Sequence, residues 1–263
     1  FDWFMERLDA GFTETVNPFN RGQVRQISLL PEDADVLVFW TRDPRTILAH
    51  GETLERQGRR YYVMITLTGY PEILEPRAPP AEAVINAMGD LTEKIGPRRV
   101  IWRYDPIFLS SLTDGGFHLR NFQTLARSLR GIVRRVIISF YDPYRGAERR
   151  LAVLEKRGLL RTLPCLDAEG RPLPEFRELL ARLARIAGEA GMTIQTCAEA
   201  EDLTPLGLTK GACIDGGLIK ELWGIETRGR DKNQRPHCGC APSVDIGSYG
   251  ACPAGCIYCY ARR

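Results

Sequence analysis

The 263-residue chain contains no run of about 18 or more apolar residues, so no segment reads as a membrane-spanning helix. An excess of one charge sign is also missing. Its 36 basic and 33 acidic side chains leave a formal net charge of +3, too even to make nucleic acid or a membrane surface the expected partner. No basic, apolar and small-residue leader opens the sequence, and the expected compartment is the cytoplasm. Sequence repeats and long low-complexity linkers are lacking. So are G-x-S-x-G, P-loop and H-E-x-x-H motifs, which sets aside the common hydrolase, nucleotide and zinc-protease signatures. Of the three histidines, His50 and His118 carry no ligand spacing and read as surface or packing residues.

Short apolar runs recur, with helical stretches between them. They are Val36–Trp40, Tyr61–Thr68, Val100–Tyr104, Val136–Phe140 and Thr193–Cys197. Each is rich in β-branched or aromatic residues and largely apolar, as parallel strands covered on both faces are. Residues 81–95 and 174–190 carry apolar side chains at helical spacing, and Pro174 suits a first helical turn. Such alternation implies right-handed βαβ units. The expected fold is α/β, a partial (β/α)6 or TIM-like barrel with a C-terminal cysteine-rich segment that binds a cluster. A complete eight-stranded barrel using Gln23–Leu30 is the alternative. The expected division is a barrel core over residues 1–200 and a cysteine-rich segment over 201–263 packed on the barrel mouth. Residue 1 is Phe, and Phe1–Leu8 reads as the inside of an amphipathic helix, so a sixth strand is expected upstream.

Ligands of parallel α/β folds bind beyond the carboxyl ends of the strands. Those ends here open into a rim of Arg, Tyr, Thr, Asp and Glu. Arg103, Asp105 and Tyr141 are the candidate catalytic residues. Arg103 can fork onto a carboxylate, and Asp105, which precedes a proline, can also simply start a turn.

Eight cysteines demand an explanation: Cys165, Cys197, Cys213, Cys238, Cys240, Cys252, Cys256 and Cys259. Crowded spacings in a chain without a leader suit metal better than disulfides. Cys252, Cys256 and Cys259 form C-x3-C-x2-C, three thiolates on a short loop in which Gly255 permits a tight turn. Three thiolates on an iron–sulfur cube leave one iron open. Cys238 and Cys240 form C-x-C and need partners, which Cys197 and Cys213 can supply. Four thiolates suit a structural zinc or a second [4Fe-4S] cluster. His237 is a rival ligand, and Cys165 reads as a small buried hydrophobe. Arg228, Arg230, Lys232 and Arg235 read either as a solvated loop or as charge compensation for thiolates.

The C-x3-C-x2-C spacing, with Tyr258 just before the last cysteine, resembles the motif of the radical S-adenosylmethionine superfamily. The resemblance implies a [4Fe-4S] cluster on Cys252, Cys256 and Cys259, with S-adenosylmethionine chelating the fourth iron. It also implies a partial (β/α)6 barrel, and an electron donor such as flavodoxin or ferredoxin. It places Tyr258 near the adenine, and Tyr260, Arg235 and Thr68 are the further candidates for cofactor contact. In that superfamily the motif normally follows the first strand, whereas here it ends the chain. Either a 5′-deoxyadenosyl or a 3-amino-3-carboxypropyl radical is therefore compatible with it. The whole chain resembles an uncharacterised prokaryotic family, domain of unknown function 1848. The supporting stretches are Asn17–Asn20, Trp102–Pro106, Cys213–Asp215 and Asp231–Arg235 running into Cys238 and Cys240. The reading that follows is a radical enzyme acting on an unknown small molecule. A non-catalytic zinc or iron–sulfur barrel protein and a Lewis-acid lyase are the rivals.

Overall fold

A computed structural model describes residues 1–17 and 20–262. Pro18 and Phe19, from the Asn17–Asn20 stretch, lie outside the described residues. The chain opens with helix α1 (Asp2–Ala10), then strands β1 (Phe12–Asn17) and β2 (Asn20–Ser28). Phe4 and Leu8 are the buried side of α1, and Phe4 meets the ring of Phe39 edge-on. The amphipathic reading of the N-terminus therefore holds.

Next come β3 (Leu37–Thr41), α2 (Arg45–Arg56), β4 (Tyr61–Thr66), α3 (Ala81–Ile95), β5 (Val100–Ile107) and α4 (Gly115–Ser128). They are followed by β6 (Arg135–Phe140), α5 (Arg145–Lys156), α6 (Pro174–Glu189), β7 (Thr193–Cys197), β8 (Thr209–Gly211) and α7 (Gly216–Trp223). Strands β3 to β8 form one six-stranded sheet in chain order. Every neighbouring pair is parallel.

Five strands coincide with the apolar runs of the sequence. The sixth strand of the sheet is β8, three residues of Thr-Lys-Gly with no apolar signal. The sheet therefore continues past residue 200. Gln23–Leu30 does contain strand, but among the described residues β2 pairs with β1, antiparallel and apart from the main sheet. Most of the described side chains of β2 are exposed, as a solvated two-stranded ribbon allows.

The alternation of side chains along a strand gives the sheet two distinct faces. Val63, Ile65, Trp102, Tyr104, Val136, Ile138 and Ile194 pack on one side with residues of α1 to α4 and α6. Tyr62, Met64, Ile101, Ile137 and Cys197 point the other way. They pack against Leu218 and Ile219 of α7 and against Cys213, Cys238 and Cys240. One face is covered by helices and the other by the C-terminal part of the chain. Gly211 is needed at the sheet's edge: a Cβ there would stand 2.7 Å from the Cβ of Gln195 on β7. No helix among the described residues is long and apolar enough to cross a membrane.

His118 on α4 is fully buried. Its Nδ1 lies 2.8 Å from the Tyr104 hydroxyl and its Nε2 lies 3.2 Å from the Phe108 carbonyl oxygen. Burial lowers its pKa from 6.5 to about 4. The unfolded chain takes up this proton at higher pH than the folded one. Stability from His118 is thus complete above about pH 6.5 and is lost as pH falls toward about 4. The loss reaches roughly 3 kcal/mol. Urea unfolding followed from pH 7 to pH 4 should show this slope, and His118→Gln should flatten it.

Candidate functional site

The loops beyond the carboxyl ends of β4 and β5, together with α5, hold the C-terminal cysteine segment. The Ile257 N–H donates to the Leu74 carbonyl at 2.9 Å, and the Arg77 N–H donates to the Ala254 carbonyl at 3.2 Å. Arg77 Nε donates to the Pro253 carbonyl at 2.6 Å. Arg150 Nε donates to the Ile257 carbonyl at 2.8 Å, and its Nη2 donates to the Cys259 carbonyl. Arg262 reaches back to the Gly255 carbonyl at 2.5 Å. Gly255 adopts φ +65°, a left-handed conformation that suits glycine, in the turn that the spacing demanded. Ala254, Cys256 and Tyr258 bury themselves among Tyr70, Leu74, Phe108, Leu151 and Leu154.

Tyr258 carries the main polar anchor. Its hydroxyl donates to the Glu75 carboxylate. Arg42, one residue past β3, donates to the Tyr258 oxygen at 2.7 Å and to Glu75 Oε1 at 2.8 Å. Thr68 donates to the same Glu75 oxygen at 2.5 Å. Side-chain exposure is 14% for Arg42 and 3% for Glu75, so this is a buried ion pair. Burial opposes the Arg42 charge, but Tyr258, Glu75 and Cys256 outweigh it and raise its pKa. The ring of Tyr258 stacks on Phe108 at 6.0 Å and meets Tyr70 edge-on at 5.7 Å. Tyr258 and Thr68, expected beside a cofactor, are thus engaged by the protein itself.

Cys256 is buried, Cys259 half-buried and Cys252 exposed. Burial pushes the Cys256 thiol up to about 11, Arg42 pulls it down, and Cys259 and Cys252 lie close enough to add to the rise. Tyr260 is 61% exposed, with its ring against Tyr144 and Tyr249.

A second group lies on the sheet's inner face. Register sets Cys197 of β7 opposite Gly211 of β8, which brings Cys213 within reach two residues later. The sulfurs of Cys197 and Cys213 are 3.2 Å apart. Cys238 and Cys240 are buried in the same cluster as these two. Arg103 Nη1 donates to Cys213 Sγ at 3.1 Å, and the Ile214 N–H donates to Cys240 Sγ at 3.4 Å. The Tyr62 hydroxyl donates to the Cys213 carbonyl at 2.5 Å. The hydrogen bond with Cys213 lowers the Cys197 pKa, burial opposes this, and Arg103 lowers it further. Among the described residues no group of three or more His, Cys, Asp or Glu stands ready-made around a metal position. His237 is exposed. Cys165 is half-buried and packs on the main core.

The fork of Arg103 is filled from within. Its Nε lies 3.1 Å from Asp105 Oδ2, its Nη2 donates to the same oxygen, and Ser139 donates to the other carboxylate oxygen. Tyr141 stands edge-on to Phe108 at 5.0 Å. Its hydroxyl is buried without a partner, and burial raises the phenol to about 12. Arg235 pairs with Asp142 at 2.6 Å. Sequence reasoning missed Glu75, Ser139, Glu199 and Arg150 as individual participants. Glu199 lies just past β7 and accepts the Phe140 N–H at 3.1 Å, and burial lifts its carboxyl to about 7.

The model of the family Domain of unknown function (DUF1848) matches residues 1–261. The chain belongs to this family. No curated protein is significantly similar to it. Among solved structures, a D-hydantoinase matches this DUF1848 chain at 12% identity with a TM-score of 0.33, covering 64% of this chain and 35% of its own. The D-hydantoinase of Bacillus sp. AR9 gives 12%, 0.32, 64% and 35%. The citrate lyase beta subunit of Mycobacterium tuberculosis gives 12%, 0.22, 60% and 77%. The DUF1848 chain therefore spans 35% of the length of the hydantoinases it matches. Likenesses this remote carry no functional weight.

Removing Glu75 strands a buried guanidinium. Glu75→Ala should cost roughly 3–5 kcal/mol in urea unfolding. Glu75→Gln, which keeps an acceptor oxygen, should cost clearly less.

Proposed function

We propose that this DUF1848 protein is a radical S-adenosylmethionine enzyme built on a partial (β/α)6 barrel. Cys252, Cys256 and Cys259 would hold a [4Fe-4S] cluster. The observation that carries this reading is the docking of the three-cysteine segment beyond the carboxyl ends of the parallel strands, where α/β folds place their reacting ligands. The in-order strands and their helices on one face support the barrel. The donor set fits the group: three cysteines on one short loop, the Gly255 turn, and a guanidinium acting on Cys256.

When bound, such a cluster supplies the electron that reductively cleaves a carbon–sulfur bond of S-adenosylmethionine. The protein's own residues orient and protect the site. Arg42 offsets thiolate charge. Arg150, Arg77 and Arg262 hold the carbonyls of the segment. Tyr258 and Thr68 brace the segment through Glu75. The burial of Cys256 excludes water, while exposed Cys252 offers a side from which flavodoxin or ferredoxin can deliver the electron. Arg103, Asp105 and Tyr141 belong to the substrate side, with Arg235 and Tyr260 at the rim. A reducing cytoplasm suits these free thiols. The complete engagement of the Arg103 fork and of Tyr258 favours a second reading, a barrel that holds metal without catalysis.

Anaerobic reconstitution should give the electron paramagnetic signal of a reduced [4Fe-4S] cluster, and S-adenosylmethionine should perturb it. Methionine with 5′-deoxyadenosine, or products of 3-amino-3-carboxypropyl transfer, should accumulate with dithionite. Both the signal and the products should vanish in Cys256→Ala. A fully loaded cluster that neither binds nor cleaves S-adenosylmethionine would leave the non-catalytic reading.

A further inference from the structure

We infer that Cys197, Cys213, Cys238 and Cys240 bind a single zinc ion, a closed four-thiolate site that clamps the C-terminal segment onto the inner face of the sheet. All four cysteines are buried, with 5–7% exposure. They come from three separate places in the chain: the end of β7, the residues after β8, and the C-x-C of the later loop. Convergence of that many thiols in one small core, apart from Cys165, is the composition of a structural zinc centre.

Distance decides between one ion and a cube. Tetrahedral zinc with bonds of about 2.3 Å sets its sulfurs about 3.8 Å apart. A [4Fe-4S] cube places each thiolate on a different iron, with the body of the cluster between them. The 3.2 Å separation of Cys197 and Cys213 is near the spacing of two ligands on one ion, and Cys238 and Cys240 are buried in the same cluster.

The surroundings match a doubly negative zinc–tetrathiolate. The Arg103 guanidinium and the Ile214 N–H each donate to a sulfur, the hydrogen-bonding shell that orients metal ligands. Asp105 holds the guanidinium in place by its fork. Arg103 is thus a positioning residue for the zinc site. The mechanical need is also plain. No helix or strand is found from Gly224 to Cys240, so that stretch has little of its own to fix it against the sheet. A metal bond supplies folding energy to such a segment.

This inference does not depend on the radical reading, and the test separates them. Protein expressed with zinc in the medium should carry one zinc per chain, with four sulfur neighbours at about 2.3 Å in X-ray absorption. Zinc should disappear in Cys213→Ser and in Cys238→Ser. It should persist in Cys256→Ala, which removes iron only. Should the serine variants fail to fold, cobalt replacement in the unmutated chain gives the answer. Tetrahedral cobalt–thiolate absorption bands support the site, and their absence overturns it. A second set of iron and sulfide retained in Cys256→Ala would overturn it in favour of a cluster. A Cys197–Cys213 disulfide found by mass spectrometry in the freshly purified chain, with no zinc, would overturn it as well.

Discussion

A parallel sheet must be covered on both faces. When its strands follow one another in chain order, right-handed crossovers put their helices on a single side. Here the sheet has that order, and α1 to α4 and α6 share one core with one set of strand residues. The opposite set, Tyr62, Met64, Ile101 and Ile137, must be buried by something else. The chain after β8 does this with α7 and with cysteines. The unusual composition of the C-terminal region follows from that geometric debt. An almost unstructured segment has to be held against an apolar face.

Polar side chains at the strand ends join this cover to the scaffold. Arg42 follows β3, Thr68 follows β4, and Glu75 comes from the loop beyond. The three meet Tyr258 in one buried network. A buried ion pair contributes little net stability, because desolvation offsets most of its attraction. What it contributes is position: breaking one partner strands the other, so Tyr258 and the cysteines beside it have one place to sit. Arg103 performs a similar task on the inner face, tying Asp105 to the sulfur of Cys213. Arg42 stands just past β3 and Arg103 within β5.

Much of this was legible in the residue pattern. Tyr61–Ile65 and Val100–Trp102 are apolar on both faces because both faces are buried. The apolar spacing of 81–95 matches α3 in full. β8 escaped because an edge strand of three residues, two of them exposed, needs no apolar run. Cysteine chemistry identified which thiols group together. It could not tell how far apart they stand, since that depends on the register of β7 with β8. Glu75 lies in a loop without periodicity, so its pairing with Arg42 left no trace in the sequence. The fork of Arg103 was legible as chemistry, but the carboxylate it binds proved to be its near neighbour Asp105.

Together the two proposals give this chain two metal centres of different kinds on one end of one sheet. Anomalous diffraction from a single anaerobically grown crystal, measured across the iron and zinc absorption edges, tests it most directly. An iron peak is expected bounded by Cys252, Cys256 and Cys259, and a separate zinc peak bounded by Cys197, Cys213, Cys238 and Cys240. Iron in both positions, or no metal beside Cys256 in protein purified with its iron retained, would contradict it.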